Sequence, residues 1–84
     1  MKKGFLSNKT GLHARPASLL VQLAQKFESD IKIYSNGAEG NAKSIMGIMA
    51  MGILGNSEID ICANGADAEA AEEAIKHFID HIKD

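Results

Sequence analysis

Between Ile31-Lys32-Ile33-Tyr34-Ser35 and Ala38-Glu39-Gly40-Asn41-Ala42 stands the dipeptide Asn36-Gly37. Both residue types accept the positive φ that a two-residue hairpin turn demands, and Ile31, Ile33 and Ser35 alternate with Lys32 and Tyr34 on the approach. The middle of the chain is therefore committed to two antiparallel strands. The flanking segments follow a different period. From Ala14 onward Leu20, Leu23, Ala24 and Phe27 recur at three- and four-residue spacing, with Pro16 suited to a first helical turn, which predicts a helix ending near Glu28. Past the hairpin, Ser44 leads into Ile45, Met46, Ile48 and Met49, a helical spacing cut short by Gly52 and Gly55-Asn56. Glu58 to Ala63 alternates again, and Asn64-Gly65 closes it. Asp67 is then expected to cap a last helix whose buried stripe is Ala71, Ala74, Ile75, Phe78, Ile79 and Ile82. At the start, Lys2 to Ser7 reads as a short strand weakened by Gly4 and stopped by Asn8-Lys9-Thr10-Gly11.

The predicted order is strand, helix, strand, strand, short helix, strand, helix. With no repeat, linker or low-complexity stretch, residues 1–84 are expected to form a single α+β domain. Two long helices and one short helix need one apolar sheet face, so a four-stranded, mainly antiparallel sheet is expected with all helices on one side. The composition, 45% apolar and 24% charged, is that of a folded globule. Nine basic against eleven acidic residues, with Arg15 the only arginine, give no support for direct nucleic-acid binding. A lone Cys62 rules out an internal disulfide and points to a reducing cytoplasm. The opening Met1-Lys2-Lys3-Gly4-Phe5-Leu6 falls short of a signal-peptide core, and Ile45 to Leu54 is too short to span a bilayer.

The chemistry gathers in Gly11-Leu12-His13-Ala14-Arg15-Pro16-Ala17-Ser18, which sets a histidine at the start of a helix and an arginine two residues on. A helix N-terminus offers unpaired N–H groups and the positive end of a dipole, so Ala14, Arg15, Pro16 and Ala17 are the expected anion-binding turn beside His13. The guanidinium of Arg15 matches phosphate oxygens in two-point fashion, and a neutral imidazole is a nucleophile able to accept a phosphoryl group. The plainer alternative is a capping His13 and a solvated Arg15.

These residues, with Asn8-Lys9-Thr10 before them and Ser18 after, closely resemble the active-site segment of the HPr family. Its members are the histidine-containing phosphocarriers of the bacterial phosphoenolpyruvate-dependent sugar phosphotransferase system. A second stretch, Lys43-Ser44-Ile45-Met46-Gly47-Ile48-Met49, resembles the same family, and the likeness extends over nearly the whole chain. The resemblance implies an open-faced β-sandwich. It implies that His13 is phosphorylated on Nδ1 by enzyme I, that Arg15 assists transfer, and that the group passes to the A domains of sugar-specific enzyme II permeases. The protein would then be a carrier, not an enzyme with turnover, although such carriers are sometimes classed with transferases. No cofactor is implied.

Ser44 has two compatible readings. It is placed to cap the short helix, and it resembles the serine that, in low-GC Gram-positive members, is phosphorylated by HPr kinase/phosphorylase to form a corepressor with the catabolite control protein. Ile45, Met46, Ile48 and Met49 exceed what one short helix buries, so a docking patch of Lys43, Ile45, Met46 and Met49 is expected, with Ile45 and Met46 outward and Lys43 and Arg15 as a cationic rim.

Other candidates have plainer explanations. His77 and His81 have the spacing of a two-histidine metal site, with Asp80 or Asp84 nearby, but read better as solvated positions, and no metal is expected. Cys62 reads as a strand thiol. Glu69, Glu72 and Glu73 read as a solvated helical face. A contact of Arg15 with the terminal carboxylate, at Asp84, is a further expectation. Two other functions stay open, a purely regulatory protein acting through phospho-Ser44 and a small ferredoxin-like acylphosphatase. The retained His13 weighs against the first, since the regulatory homologue known in the family lacks it; Pro16 in place of a loop of backbone amides weighs against the second. A monomer is expected.

Overall fold

The computed structural model describes residues 1–83. Seven elements follow in the order β1 Lys2–Leu6, α1 Ala14–Ala24, β2 Asp30–Ser35, β3 Ala38–Asn41, α2 Ile45–Ala50, β4 Ser57–Asn64 and α3 Ala68–Asp80. The strands form one antiparallel sheet in the order β1-β4-β2-β3, with Gly4 opposite Ile59, Ile61 opposite Ile33, and Ile33 opposite Gly40. At the β2–β3 turn Asn36 and Gly37 have φ of 52° and 82°, the doubly left-handed turn their sequence demands.

Alternation decides the two faces. Leu6, Ile31, Ile33, Ile59 and Ile61 point inward against Leu20, Val21 and Ala24 of α1, Ile48 of α2, and Ala71, Ile75 and Ile79 of α3. The opposite face carries ion pairs, with Lys3 3.3 Å from Glu58 and Lys32 3.6 Å from Glu39, beside the exposed Phe5. The expected architecture, an open-faced sandwich with three helices on one side, is the one observed.

Four local expectations need correction, and long-range pairing explains each. Helix α1 stops at Ala24, not near Glu28. Lys26 and Phe27 donate to Leu23 and Ala24 in tighter i→i−3 turns, and the N–H groups of Glu28 and Ser29 turn to the carboxylate of Asp67, each at 2.9 Å. Asp67 therefore does not cap α3 with its side chain, although its carbonyl accepts from Ala71 at 2.9 Å. The Ser29 hydroxyl also donates to it, and these donors hold its carboxyl below the ordinary value.

Glu72 is not solvated: it is 8% exposed and accepts the Ala63 N–H at 2.9 Å. That strand edge lacks a β1 partner, because the β1 ladder begins with Lys2 opposite Ile61. The Ala63 N–H is the main cause holding the Glu72 carboxyl below its usual range. Gly4, finally, does not loosen β1. A Cβ there would stand 3.1 Å from Ile79 Cγ2, so its absence lets α3 lie close on the strand, where Asp80 accepts the Phe5 N–H at 2.9 Å. The Asp80 carboxyl is held low by Lys76 and by that same N–H.

Candidate functional site

Two loops build the start of α1. The segment after β1 and the segment after α2 pack backbone to backbone: Leu12 N–H donates to Ile53 O at 3.1 Å, and the Leu12 and Ile53 side chains are buried. Glycine makes this contact possible. Gly11 has φ of 71°, and a Cβ there would lie 2.2 Å from Ile53 O; across the contact, a Cβ on Gly55 would lie 2.1 Å from Asn8 O. The Asn8 amide donates to Gly11 O at 2.9 Å and closes the turn from within.

On that base His13 takes an extended conformation (φ −81°, ψ −171°) as the N-cap residue of α1, exposed and with no hydrogen bond from its side chain to the helix. A cap whose side chain is not folded onto its own helix leaves the first-turn donors to other acceptors. The stretch of open first-turn donors is shorter than the sequence implied. Ala17 N–H is engaged by His13 O at 3.0 Å, and Pro16 has no N–H and is buried, so past the N-cap the main-chain donors without a helical acceptor are those of Ala14 and Arg15. Arg15 is exposed and makes no ion pair among the described residues.

An open cleft of about 610 Å³ adjoins this turn. Thr10, His13, Arg15, Pro16 and Leu19 form one wall, and Phe78, His81, Ile82 and Lys83 at the end of α3 form the other. Sequence reasoning missed the second wall, since nothing in the period of α3 says which helix end its last turn will face. The expected contact of Arg15 with Asp84 lies outside the described residues.

Ser44 starts α2 in extended backbone (φ −121°, ψ 115°), and its Oγ accepts the Gly47 N–H at 3.0 Å. The capping reading of Ser44 is thus realised in the structure. Of the apolar residues in α2, Ile48 is buried while Ile45, Met49 and above all Met46, 84% exposed, face outward. Leu19 and Leu54, the latter 70% exposed, are further exposed apolar side chains that the sequence reading did not single out. Lys43 departs from its expected place on a cationic rim. It is half-buried, and its ammonium donates to Phe27 O at 2.7 Å, tying the turn before α2 to the chain leaving α1.

The imidazoles of His77 and His81 stack with centroids 4.2 Å apart, and Cys62 is half-buried opposite Lys32. Among the described residues no cluster of three or more His, Cys, Asp or Glu is placed to hold a metal, and no helix is long and apolar enough to cross a membrane.

An exposed imidazole thus stands at the start of a helix and lines an open cleft. Residues 2–81 match the family model described as the PTS HPr component phosphorylation site, and the chain belongs to this HPr family of phosphocarriers of the sugar phosphotransferase system. It is 54% identical over 71 residues to the phosphocarrier protein HPr of Mycoplasma capricolum, covering 84% of this chain and 80% of that one. Its structure superposes on HPr of Bacillus anthracis with a TM-score of 0.87 at 49% identity, covering 93% of each chain. It also superposes on Crh, a Bacillus subtilis catabolite-repression protein described as a domain-swapped dimer, with a TM-score of 0.77 at 42% identity, covering 84% of this chain and 82% of that one.

Proposed function

We propose that His13 accepts a phosphoryl group from phospho-enzyme I at Nδ1 and passes it to the A domains of sugar-specific enzyme II permeases, with residues 1–84 acting as one monomeric domain in the cytoplasm. In the first transfer the Nδ1 lone pair forms the new N–P bond as the bond from phosphorus to enzyme I breaks and enzyme I keeps that electron pair; in the second, a nucleophile of the acceptor A domain forms the new bond to phosphorus as the Nδ1–P bond breaks and Nδ1 keeps the pair. The protein is a carrier: the group it receives is the group it gives away. The observation that supports this most is the placement of His13, exposed and unbonded to its own helix, ahead of the Ala14 and Arg15 N–H groups and in one cleft with Arg15. Those donors meet the charge of a phosphoryl group in transit, where positioning and electrostatics do most of the work.

Ser44 is the regulatory site in this reading, modified by HPr kinase/phosphorylase and recognised with the catabolite control protein. About two negative charges on its hydroxyl would sit next to Ile45 and Met46, the exposed side chains proposed with Met49 as the docking surface for enzyme I. Lys43 precedes that surface in the chain, with its ammonium donating to Phe27 O. The likeness to Crh favours a second reading, a purely regulatory protein acting through phospho-Ser44.

Incubation with phosphoenolpyruvate and enzyme I tests the proposal by intact mass. The expected result is one acid-labile phosphoryl group in the wild type and none in His13→Ala. No incorporation with demonstrably active enzyme I would overturn the carrier and leave the regulatory reading.

A further inference from the structure

The wall opposite His13 is the C-terminal end of a helix, the negative end of a macrodipole and a poor neighbour for a phosphoryl dianion. In this chain that end is closed from within. His77 O accepts from His81 Nδ1 at 2.7 Å, Phe78 O from the His81 N–H at 3.2 Å, and Ile79 O from the Ile82 N–H at 3.4 Å. A carbonyl only accepts, so the proton of a neutral His81 ring resides on Nδ1 and Nε2 is the ring's remaining site. Stacking on His77 at 4.2 Å, with 25° between the planes, holds the ring in this orientation. The same cleft is lined by His13 and Arg15 from α1 and by Lys83 from the end of α3. Asp80, next to His81 in the chain, is engaged by Lys76 and by the Phe5 N–H, and it is close enough to the His81 ring for a charge there to act on it.

His81 and His13 thus line one cleft from its two walls. With a neutral ring, Nε2 is an acceptor and offers nothing to phosphoryl oxygens. A dianion across the cleft favours the charged form of an imidazole, and with a proton on Nε2 the ring becomes a cationic donor. We propose that His81 takes up a proton at Nε2 when His13 is phosphorylated and, with Lys83, holds the phosphoryl group from the α3 side of the cleft. The proposal rests on the phosphohistidine assigned above to His13 and adds a second, cationic wall to the Ala14–Arg15 turn. It stabilises the compact dianion more than the loose, charge-dispersed transition state of its loss.

The test compares wild type, His81→Gln and His81→Arg, each phosphorylated by enzyme I and followed by nitrogen and phosphorus NMR at a single neutral pH. In the wild type, phosphorylation should move the His81 ring nitrogens from the pattern of a neutral Nδ1–H ring toward that of an imidazolium. His81→Gln should shorten the lifetime of the phosphohistidine several-fold, and His81→Arg, with a permanent cation, should restore it. Unchanged His81 signals in a protein that does bear phosphohistidine 13, or a lifetime in His81→Gln equal to that of the wild type, would overturn this proposal and leave the carrier intact. Absence of phosphate from His13 in the wild type would remove the carrier reading, and this proposal with it.

Discussion

Helices α1 and α2 both begin from a residue in extended backbone, His13 in one and Ser44 in the other, yet the two ends are built in opposite ways. The Ser44 hydroxyl folds back onto Gly47 N–H at 3.0 Å, whereas the His13 ring makes no bond to its own helix. The difference extends to what holds each turn in place. The α1 start is clamped by main-chain contact with another loop through Gly11 and Gly55. The α2 start is held by short-range bonds, Ser44 N–H to Asn41 O at 3.0 Å and Lys43 N–H to Asn41 Oδ1 at 2.9 Å, and by the Lys43 ammonium on Phe27. An end that does not use its residue's side chain for capping can gain and lose a group there without altering the helix. An end closed by its own hydroxyl must rebuild its cap when that hydroxyl is modified. Repeated transfer suits the first design, and an occasional regulatory event suits the second.

Substitutions sharpen this contrast in order of effect. His13→Ala should abolish phosphoryl transfer while leaving the circular dichroism spectrum and melting temperature close to wild type, because the ring is exposed and takes no part in capping. A marked loss of stability would break the contrast by showing that His13 also holds its helix. Gly11→Ala forces a side chain into left-handed backbone and against Ile53 O. It should destabilise by about 1–3 kcal/mol in denaturant titrations and slow transfer by shifting His13. Arg15→Ala should slow transfer by about 10²-fold, the scale of losing one preorganised charge-stabilising group, with an unchanged melting temperature. Ser44→Ala should do the reverse, losing about 1 kcal/mol of stability through the missing cap and keeping transfer from enzyme I near wild type. Ser44→Asp should weaken enzyme I docking several-fold, read as a raised KM.

Much of the scaffold could be read locally. The Asn36-Gly37 turn, the capping place of Ser44 and the outward-facing Ile45 and Met46 are each encoded within a few residues. What escaped the sequence is pairing at a distance. Asp67 has the position and chemistry of a cap, yet its carboxylate binds N–H groups nearly forty residues away. Glu72 lies within an acidic run that reads as solvated, and only the strand edge left open beyond β1 explains its burial. The site divides along the same line. His13 and Arg15 stand out in the sequence because a helix start is a local event, whereas Phe78, His81, Ile82 and Lys83 face them only through the crossing of α1 and α3. Gly4 shows the ambiguity most plainly, since the same missing Cβ that weakens an isolated strand permits close helix packing here.

In this proposal the open helix end, and not the closed one, bears the group in transit. Phosphorus NMR of the protein phosphorylated by phosphoenolpyruvate and enzyme I, with the two ends separated by His13→Ala and Ser44→Ala, tests it directly. One phosphoramidate resonance should persist in Ser44→Ala and vanish in His13→Ala. A phosphoramidate that survives in His13→Ala, or a phosphomonoester on Ser44 as the sole product, would contradict it.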